Sequence, residues 1–301
     1  MNRRSIALAL ALAGHGWSGL AQNMEPRSYV NTPVGVNFAI AAYGYSEGGL
    51  VADPSVPLED AHIEVHSAAL AYLRSFGVFG RSSKADVILP YAWVSGDALL
   101  AGQSVSREVE GFGDPRFRFS MNFLGAPALT LKELRERKES LVAGASVQLS
   151  APLGQYDEDK VVNIGANRWS VKPELGASKA FGNFSAELAA GVTFFTDNDD
   201  FLGQKREQDP IYSAQGHLVY QFRPGIWLAV TGVYYTGGRT TLDGVRGDDL
   251  QENTRVGLTL ALPVNKWNSI KLYAGTGLIT RTGSNFDTVG IAWQTRWGGG
   301  L

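Results

Sequence analysis

From residue 34 to residue 297 the chain repeats one pattern: apolar and polar side chains alternate, and polar joins rich in Gly, Asp and Asn interrupt them. A strand sends successive side chains to opposite faces, so period-two alternation marks a wall with a different environment on each side. The clearest stretch is Asp114 to Leu124. Phe117, Phe119, Met121 and Phe123 share one face, and Arg116, Arg118, Ser120 and Asn122 share the other. The same template picks out segments 34-46, 62-75, 84-94, 114-124, 141-151, 169-180, 184-195, 211-222, 226-236, 253-263, 270-282 and 286-297. Soluble strands run about 5 to 6 residues and a tilted membrane-crossing strand needs about 9 to 11, so segments of about 10 to 14 favour the membrane. The predicted fold is all-β, an antiparallel up-and-down transmembrane β-barrel of about twelve strands.

The joins carry a second signal. Segments 47-61, 95-113, 152-168, 197-210 and 237-252 are long and polar. Gly182-Asn183, Arg223-Pro224-Gly225 and the stretches 76-83 and 264-269 are short. Long and short joins alternate, as they do in outer-membrane barrels with long external loops and short periplasmic turns. An even strand count places both ends of the barrel in the periplasm. Two joins break the rule: 125-140 is long on the periplasmic side, with Thr130 to Arg137 suited to a short surface helix, and Gly283-Ser284-Asn285 is tight on the external side. Aromatic residues near segment ends, among them Tyr43, Trp93, Trp169, Tyr212, Tyr235, Trp293 and Trp297, suggest two interfacial girdles.

Charge within the segments separates from bulk apolar side chains by parity. Lys84 and Asp86 alternate with Ala85 and Val87, Lys172 and Glu174 with Val171 and Leu175, and Arg255 opposes Val256. A basic side chain facing lipid at the midplane costs about 2 to 4 kcal/mol, so the charged face is the inner one. Arg116, Arg118, Lys172, Glu174, Glu187, His217, Arg255 and Arg296 are therefore expected to line the lumen. Two roles stay open for them, tuning solute selectivity and bracing the barrel with charge pairs. Pro173 removes a ladder hydrogen bond and marks a bulge or a misplaced boundary.

The N-terminus changes the picture by placing the chain outside the cytoplasm. Arg3 and Arg4, the apolar stretch Ile6 to Ala13 and the small residues around Ala21 form a secretory signal, expected to span 1-21. Its apolar core is too short to cross a bilayer as a helix. Residues 22-33 then form a periplasmic segment able to enter the lumen as a partial plug, 34-297 the barrel, and 298-301 a short tail. The 36 glycines and 11% aromatic content suit strands and turns. A mean hydropathy of -0.08 fits strands that are half apolar. It also fits a soluble periplasmic β-protein, which the strand lengths oppose.

Candidate chemistry is sparse. The net charge of -2 gives no field for nucleic acid, and the absence of cysteine excludes disulfides and zinc-thiolate sites. No GxSxG, HExxH or GxxxxGK[ST] motif is present. His62, His66 and His217 lack the His-x-Ser pattern of an outer-membrane phospholipase, so no enzyme and no cofactor are expected. The cluster Asp197-Asn198-Asp199-Asp200 has oxygen ligands suited to calcium but not the calcium-loop spacing, and no metal site is assigned there.

Several phrases together resemble one family. They are Glu25 to Asn37, Gly113 to Phe119, Gly125 to Leu129, Ala151 to Tyr156, Asn163 to Trp169, Lys172 to Gly176, Gly237 to Thr241 and Trp293 to Trp297. The chain is similar to the outer-membrane, transporter-like meta-pathway phenol degradation proteins over nearly all of its mature length. The resemblance implies an outer-membrane channel for small hydrophobic or aromatic compounds and brings no catalytic residues. The alternative is a non-conducting structural or surface-binding barrel. Expected partners are outer-membrane lipid and lipopolysaccharide, the barrel-assembly machinery and a small-molecule solute, with a monomer favoured. Trp297, followed by Gly298-Gly299-Gly300-Leu301, takes the place of the terminal aromatic residue that such barrels present for assembly.

Overall fold

Alternation becomes a closed wall. The computed structural model describes residues 25-51, 58-100, 102-137 and 141-300, and the expected signal peptide lies outside them. The strands, in chain order, are β1 (Val36–Val51), β2 (Leu58–Val78), β3 (Arg81–Leu100), β4 (Gln103–Phe112), β5 (Arg116–Leu124), β6 (Val142–Ser150), β7 (Ser170–Phe181), β8 (Phe184–Phe195), β9 (Asn198–Phe201), β10 (Gln204–Gln208), β11 (Ile211–Arg223), β12 (Ile226–Gly237), β13 (Thr240–Leu242), β14 (Val245–Arg246), β15 (Gln251–Pro263), β16 (Asn268–Thr280) and β17 (Gly283–Gly298). All pairings are antiparallel, and β1 pairs with both β2 and β17, which closes the barrel. The wall has twelve staves, because β4 and β5 together make the fourth: β4 pairs with the external half of β3 and β5 with its periplasmic half. β9, β10, β13 and β14 form a separate small sheet in the external connections.

The two faces of the wall divide as the parity requires. Phe117, Phe119 and Phe123 are 46%, 44% and 46% exposed on the outside, while Ser120 and Asn122 on the other face are buried. Around the barrel the outer face carries Leu70, Leu89, Leu175, Leu188, Leu218, Val230, Leu258 and Ile291, all exposed. An uninterrupted apolar belt of this kind is stable only against hydrocarbon, so the protein is an outer-membrane barrel. Exposed rings gather at both ends of the belt. Tyr43, Trp93, Phe112, Trp169 and Tyr212 lie at the external end; Tyr72, Phe222 and Trp297 lie at the periplasmic end. Tyr235, expected in a girdle, instead faces inward and is 4% exposed, since it shares parity with Thr231 and Val233.

Three of the periplasmic turns are tight. Phe79-Gly80, Gly182-Asn183 and Pro224-Gly225 join their strands in two residues, and φ is positive at Phe79, Gly80, Gly182 and Gly225, as tight hairpins of this hand need. The long periplasmic join holds a helix, α1 (Leu131–Glu136), within the stretch expected to form one. Thr130 and Glu133 make a reciprocal capping box, and the Thr130 backbone N–H followed by its hydroxyl holds the Glu133 carboxyl below its ordinary range.

Segments 47-61 and 95-113, expected as polar loops, are mostly strand: β1 continues to Val51, β2 starts at Leu58, β3 continues to Leu100 and β4 starts at Gln103. Beyond the bilayer both faces of a strand meet water, so the hydropathy contrast that reveals a lipid-facing strand vanishes there. The external end of the barrel is therefore taller on the β1 to β4 side. Pro173 stands in β7, and the β7–β8 ladder has no pairs at Lys172 and Pro173, as a residue without an N–H requires.

A charge on the outer face tests this orientation. Leu218 points outward near the middle of β11 and pairs with Val230. Leu218→Arg is expected to lower stability by about 2 to 4 kcal/mol in reversible unfolding from lipid vesicles. A change below about 0.5 kcal/mol would mean that this face does not meet hydrocarbon.

Candidate functional site: the lumen and its stopper

The inward parity of the strands builds a polar interior, and the register shows how its members meet. One rung reads Asp86, Arg118, Gln148, Lys172, and the next toward the periplasm reads Lys84, Ser120, Ser146, Glu174. Arg118 is the hub. Its Nε donates to Asp86 Oδ2 at 2.9 Å and its Nη2 to Glu25 Oε2 at 2.9 Å. Lys172 Nζ meets Glu174 Oε2 at 2.9 Å. These contacts satisfy charges taken out of bulk water, which would otherwise be costly.

Glu25 does not belong to the wall. Of the segment 22-33, expected to be periplasmic and able to enter the lumen, residues 22-24 lie outside the described residues and residues 25-33 run inside the barrel. Arg27 N donates to Glu187 Oε2 at 2.6 Å, Lys84 Nζ donates to the Ser28 carbonyl, and Asn122 Nδ2 donates to the Val30 carbonyl at 3.4 Å. Tyr29 is buried, at 4% exposure. Its hydroxyl donates to Glu174 Oε1 at 2.9 Å and lies 3.2 Å from Ser146 Oγ. The ring fits because Gly144 and Gly176, register partners on β6 and β7, leave it room. A Cβ on Gly176 would stand 2.1 Å from Tyr29 Cε2, and one on Gly144 2.9 Å from Tyr29 Cδ1. The periplasmic half of the lumen also holds a packed apolar group, Val219, Trp227, Ala229 and Ala261.

Above the segment a cavity of about 500 Å³ remains. Glu25 and Pro26 form part of its floor. Small and apolar side chains, including Ile40, Ala42, Ala69, Ala71, Ile88 and Ala92, line the β1 to β3 side, and Arg116, Lys172, Arg255 and Lys271 project from other staves. Its roof is the 151-169 connection together with Phe201 and Arg206. Asp114 anchors that roof. It sits where the fourth stave is broken by Gly113-Asp114-Pro115, and its carboxylate accepts from Gly154 N and Ala166 N at 2.9 Å each. Tyr156 Oη donates to the Asp200 carbonyl at 2.8 Å and accepts from Asn198 Nδ2 at 2.8 Å, locking the connection to β9. Burial, followed by the neighbouring Arg206 charge, pushes the Arg168 guanidinium down to about 9.

The eight residues predicted to line the lumen are placed as follows. Arg116, Lys172 and Arg255 border the cavity. Arg118, Glu174 and Glu187 contact residues 25-33 beneath it. His217 is buried against Thr231, Nδ1 to Oγ1 at 2.8 Å. Arg296 has inward parity but lies exposed at the periplasmic rim, where its Nε and Nη2 donate to the Lys266 carbonyl at 3.0 and 2.9 Å. Lys271, Arg168, Arg206, Asp114 and Tyr29 were not among them. Lys271 alternates with Ile270 and Leu272, and Asp114 shares the parity of Arg116 and Arg118, as lumen residues should; the others occupy connections or the N-terminal segment, where no period exists.

Of the acidic cluster, Asp197 is paired with Lys205 at 2.7 Å and Asn198 is spent on Tyr156. Elsewhere Glu47, His62 and Glu64 present one ligand atom each within 4.8 Å of one another, at an exposed corner of the β1–β2 hairpin. Exposed acidic groups take such arrangements without an ion.

The family described as "Putative MetA-pathway of phenol degradation" matches residues 16–295. The chain belongs to this family. The phenol-degradation family member shares its fold with the COG4313 outer membrane channel from Pseudomonas putida F1, at 22% identity and a TM-score of 0.78, covering 91% of this chain and 100% of that one. It is similar more distantly to the transport unit of the autotransporter AIDA-I from Escherichia coli, at 10% identity and a TM-score of 0.51, covering 97% of each chain. Among curated proteins no match is found.

Two substitutions probe the lumen of this family member. Arg118→Met leaves Asp86 buried without its partner and is expected to cost about 3 to 5 kcal/mol in vesicle unfolding, with Arg118→Lys recovering part of it. Gly176→Val takes the space of the Tyr29 ring. Single-channel conductance in a planar bilayer should then rise above wild type, whereas Gly232→Val, which meets no neighbour within 4 Å, should leave it unchanged. Equal conductance in all three proteins would show that residues 25-33 do not limit flow.

Proposed function

We propose that this protein is an outer-membrane channel for small hydrophobic or aromatic compounds. The observation that carries the proposal is the cavity: about 500 Å³ inside a lipid-embedded barrel, with a wall of small and apolar side chains from β1, β2 and β3. A pore for sugars or ions would be lined by hydrogen-bonding groups all round, because such solutes lose hydration on passing and need replacement contacts. An apolar wall rewards a solute with an apolar face. Membership in the phenol-degradation family supports the same solute class.

Selectivity in this scheme arises from the cavity residues, and flow is limited by residues 25-33 below and the 151-169 connection above. Arg118, Glu174 and Glu187 then act mainly as the seat of the N-terminal segment, and Arg116, Lys172 and Arg255 act on the solute.

Solute uptake in a deletion strain tests the proposal. Uptake of phenol-like compounds should fall several-fold, while sugars of similar size are unaffected. Equal loss of both would remove the aromatic preference. A planar bilayer that stays silent even with Gly176→Val would favour the non-conducting barrel instead.

A further inference from the structure

The cavity is unusual in its charge. Six basic side chains line it, Arg116, Arg168, Lys172, Arg206, Arg255 and Lys271, against two acidic ones, Glu25 and Asp114. The whole chain, by contrast, carries a net charge of -2. Both acids are already engaged: Glu25 accepts from Arg118, which lies beneath the cavity, and Asp114 accepts from two backbone amides. Lys172 is paired with Glu174 beneath the cavity, and the basic side chains that line it outnumber its acids.

Two of these groups have unfilled donors. Arg168 is 6% exposed, and its Nη1 is buried without a hydrogen-bond partner; the Nη1 of Arg116 is in the same condition. Buried polar atoms in folded proteins are almost always paired, so two orphaned guanidinium nitrogens in one cavity call for an acceptor. The register places them two strands apart, Arg116 on β5 and Arg168 just before β7. Arg116 sits on the rung Ile88, Arg116, Ser150, Ser170, Phe195. Arg168 lies two residues before Ser170, with its guanidinium 4.5 Å from the centroid of the Phe195 ring. Next to Arg116 on the same rung, Ile88 begins the apolar side of the cavity, continued by Pro90 and Ile164.

Resting on the channel function above, we infer that the cavity is a binding site for a small aromatic monoanion, an aryl carboxylate whose carboxylate meets Arg116 and Arg168 while its ring lies toward Ile88, Pro90 and Ile164. A planar carboxylate matches the fork of donors that a guanidinium presents. A neutral phenol or an aromatic alcohol offers the same ring and no charge to meet the two orphaned nitrogens. The cavity size lies within the range, about 300 to 1,000 Å³, that holds small-molecule ligands.

Calorimetric titration of the full-length barrel in detergent, with sodium benzoate, benzyl alcohol and sodium formate as probes, tests the inference. Benzoate is expected to bind at least tenfold tighter than either of the others. Arg116→Gln should reduce benzoate affinity tenfold and benzyl alcohol affinity by a smaller factor; no hydrogen bond or ion pair of the Arg116 side chain is seen among the described residues, so the fold is expected to persist. Arg168→Gln should do the same, and Arg116→Lys should retain part of the preference. Equal binding of benzoate and benzyl alcohol would overturn the anion site while leaving the aromatic channel in place. Formate binding as tightly as benzoate would overturn the role of the ring. If none of the three binds, and phenol uptake is also normal in the deletion strain, the site and the channel function fall together.

Discussion

Hydrocarbon offers no hydrogen bonds, and everything else in this molecule follows from that. A backbone crossing a bilayer must pair every N–H and C=O with protein, and a sheet can do so only by closing on itself. Closure through β1 and β17 then forces each inward side chain to share a narrow interior with those of eleven other staves. Charges that could not face lipid are crowded together in that interior. They either pair, as Arg118 does with Asp86 and Glu25, or remain available to a guest.

The lumen is divided by depth. Toward the periplasm it is filled by the N-terminal segment, by the seat of glycines and acids that holds Tyr29, and by the cluster around Trp227. Toward the outside it is left open enough for a cavity, roofed by a connection that reaches inward because the fourth stave is interrupted at Gly113-Asp114-Pro115. The interruption and the roof meet at one residue: Asp114, in the break, accepts two amides of the connection with its carboxylate.

How much of this could be read from the residues depends on whether a period was present. Arg116 and Arg118 were legible because they alternate with Phe117 and Phe119, two solvents imposing one parity. The short helix within Thr130 to Arg137 was legible because its signal is local. The extensions of β1 to β4 were not, since outside the bilayer neither face is apolar and a strand with Glu108 and Glu110 on it resembles a loop. Arg168 and Arg206 were not legible for another reason: their burial is created by connections distant in sequence folding over the mouth, and a single sequence contains no trace of that convergence. Tyr235 was misplaced because a ring near a strand end suits a girdle and a lumen equally until parity is counted.

The stopper is covalently continuous with the wall. Residues 25-33 pass into β1 through Val34 and Gly35, whose amides are held by the Leu129 and Ser75 carbonyls. Exchange between a seated and a withdrawn segment is therefore unimolecular, and its equilibrium does not depend on how many copies the membrane holds. A tether this short keeps the local concentration of the segment at about the millimolar level or above, so weakening one contact shifts the occupied fraction by degrees. On the channel function proposed above, the setting of the segment is graded within each barrel by the contacts of Tyr29 and Arg118.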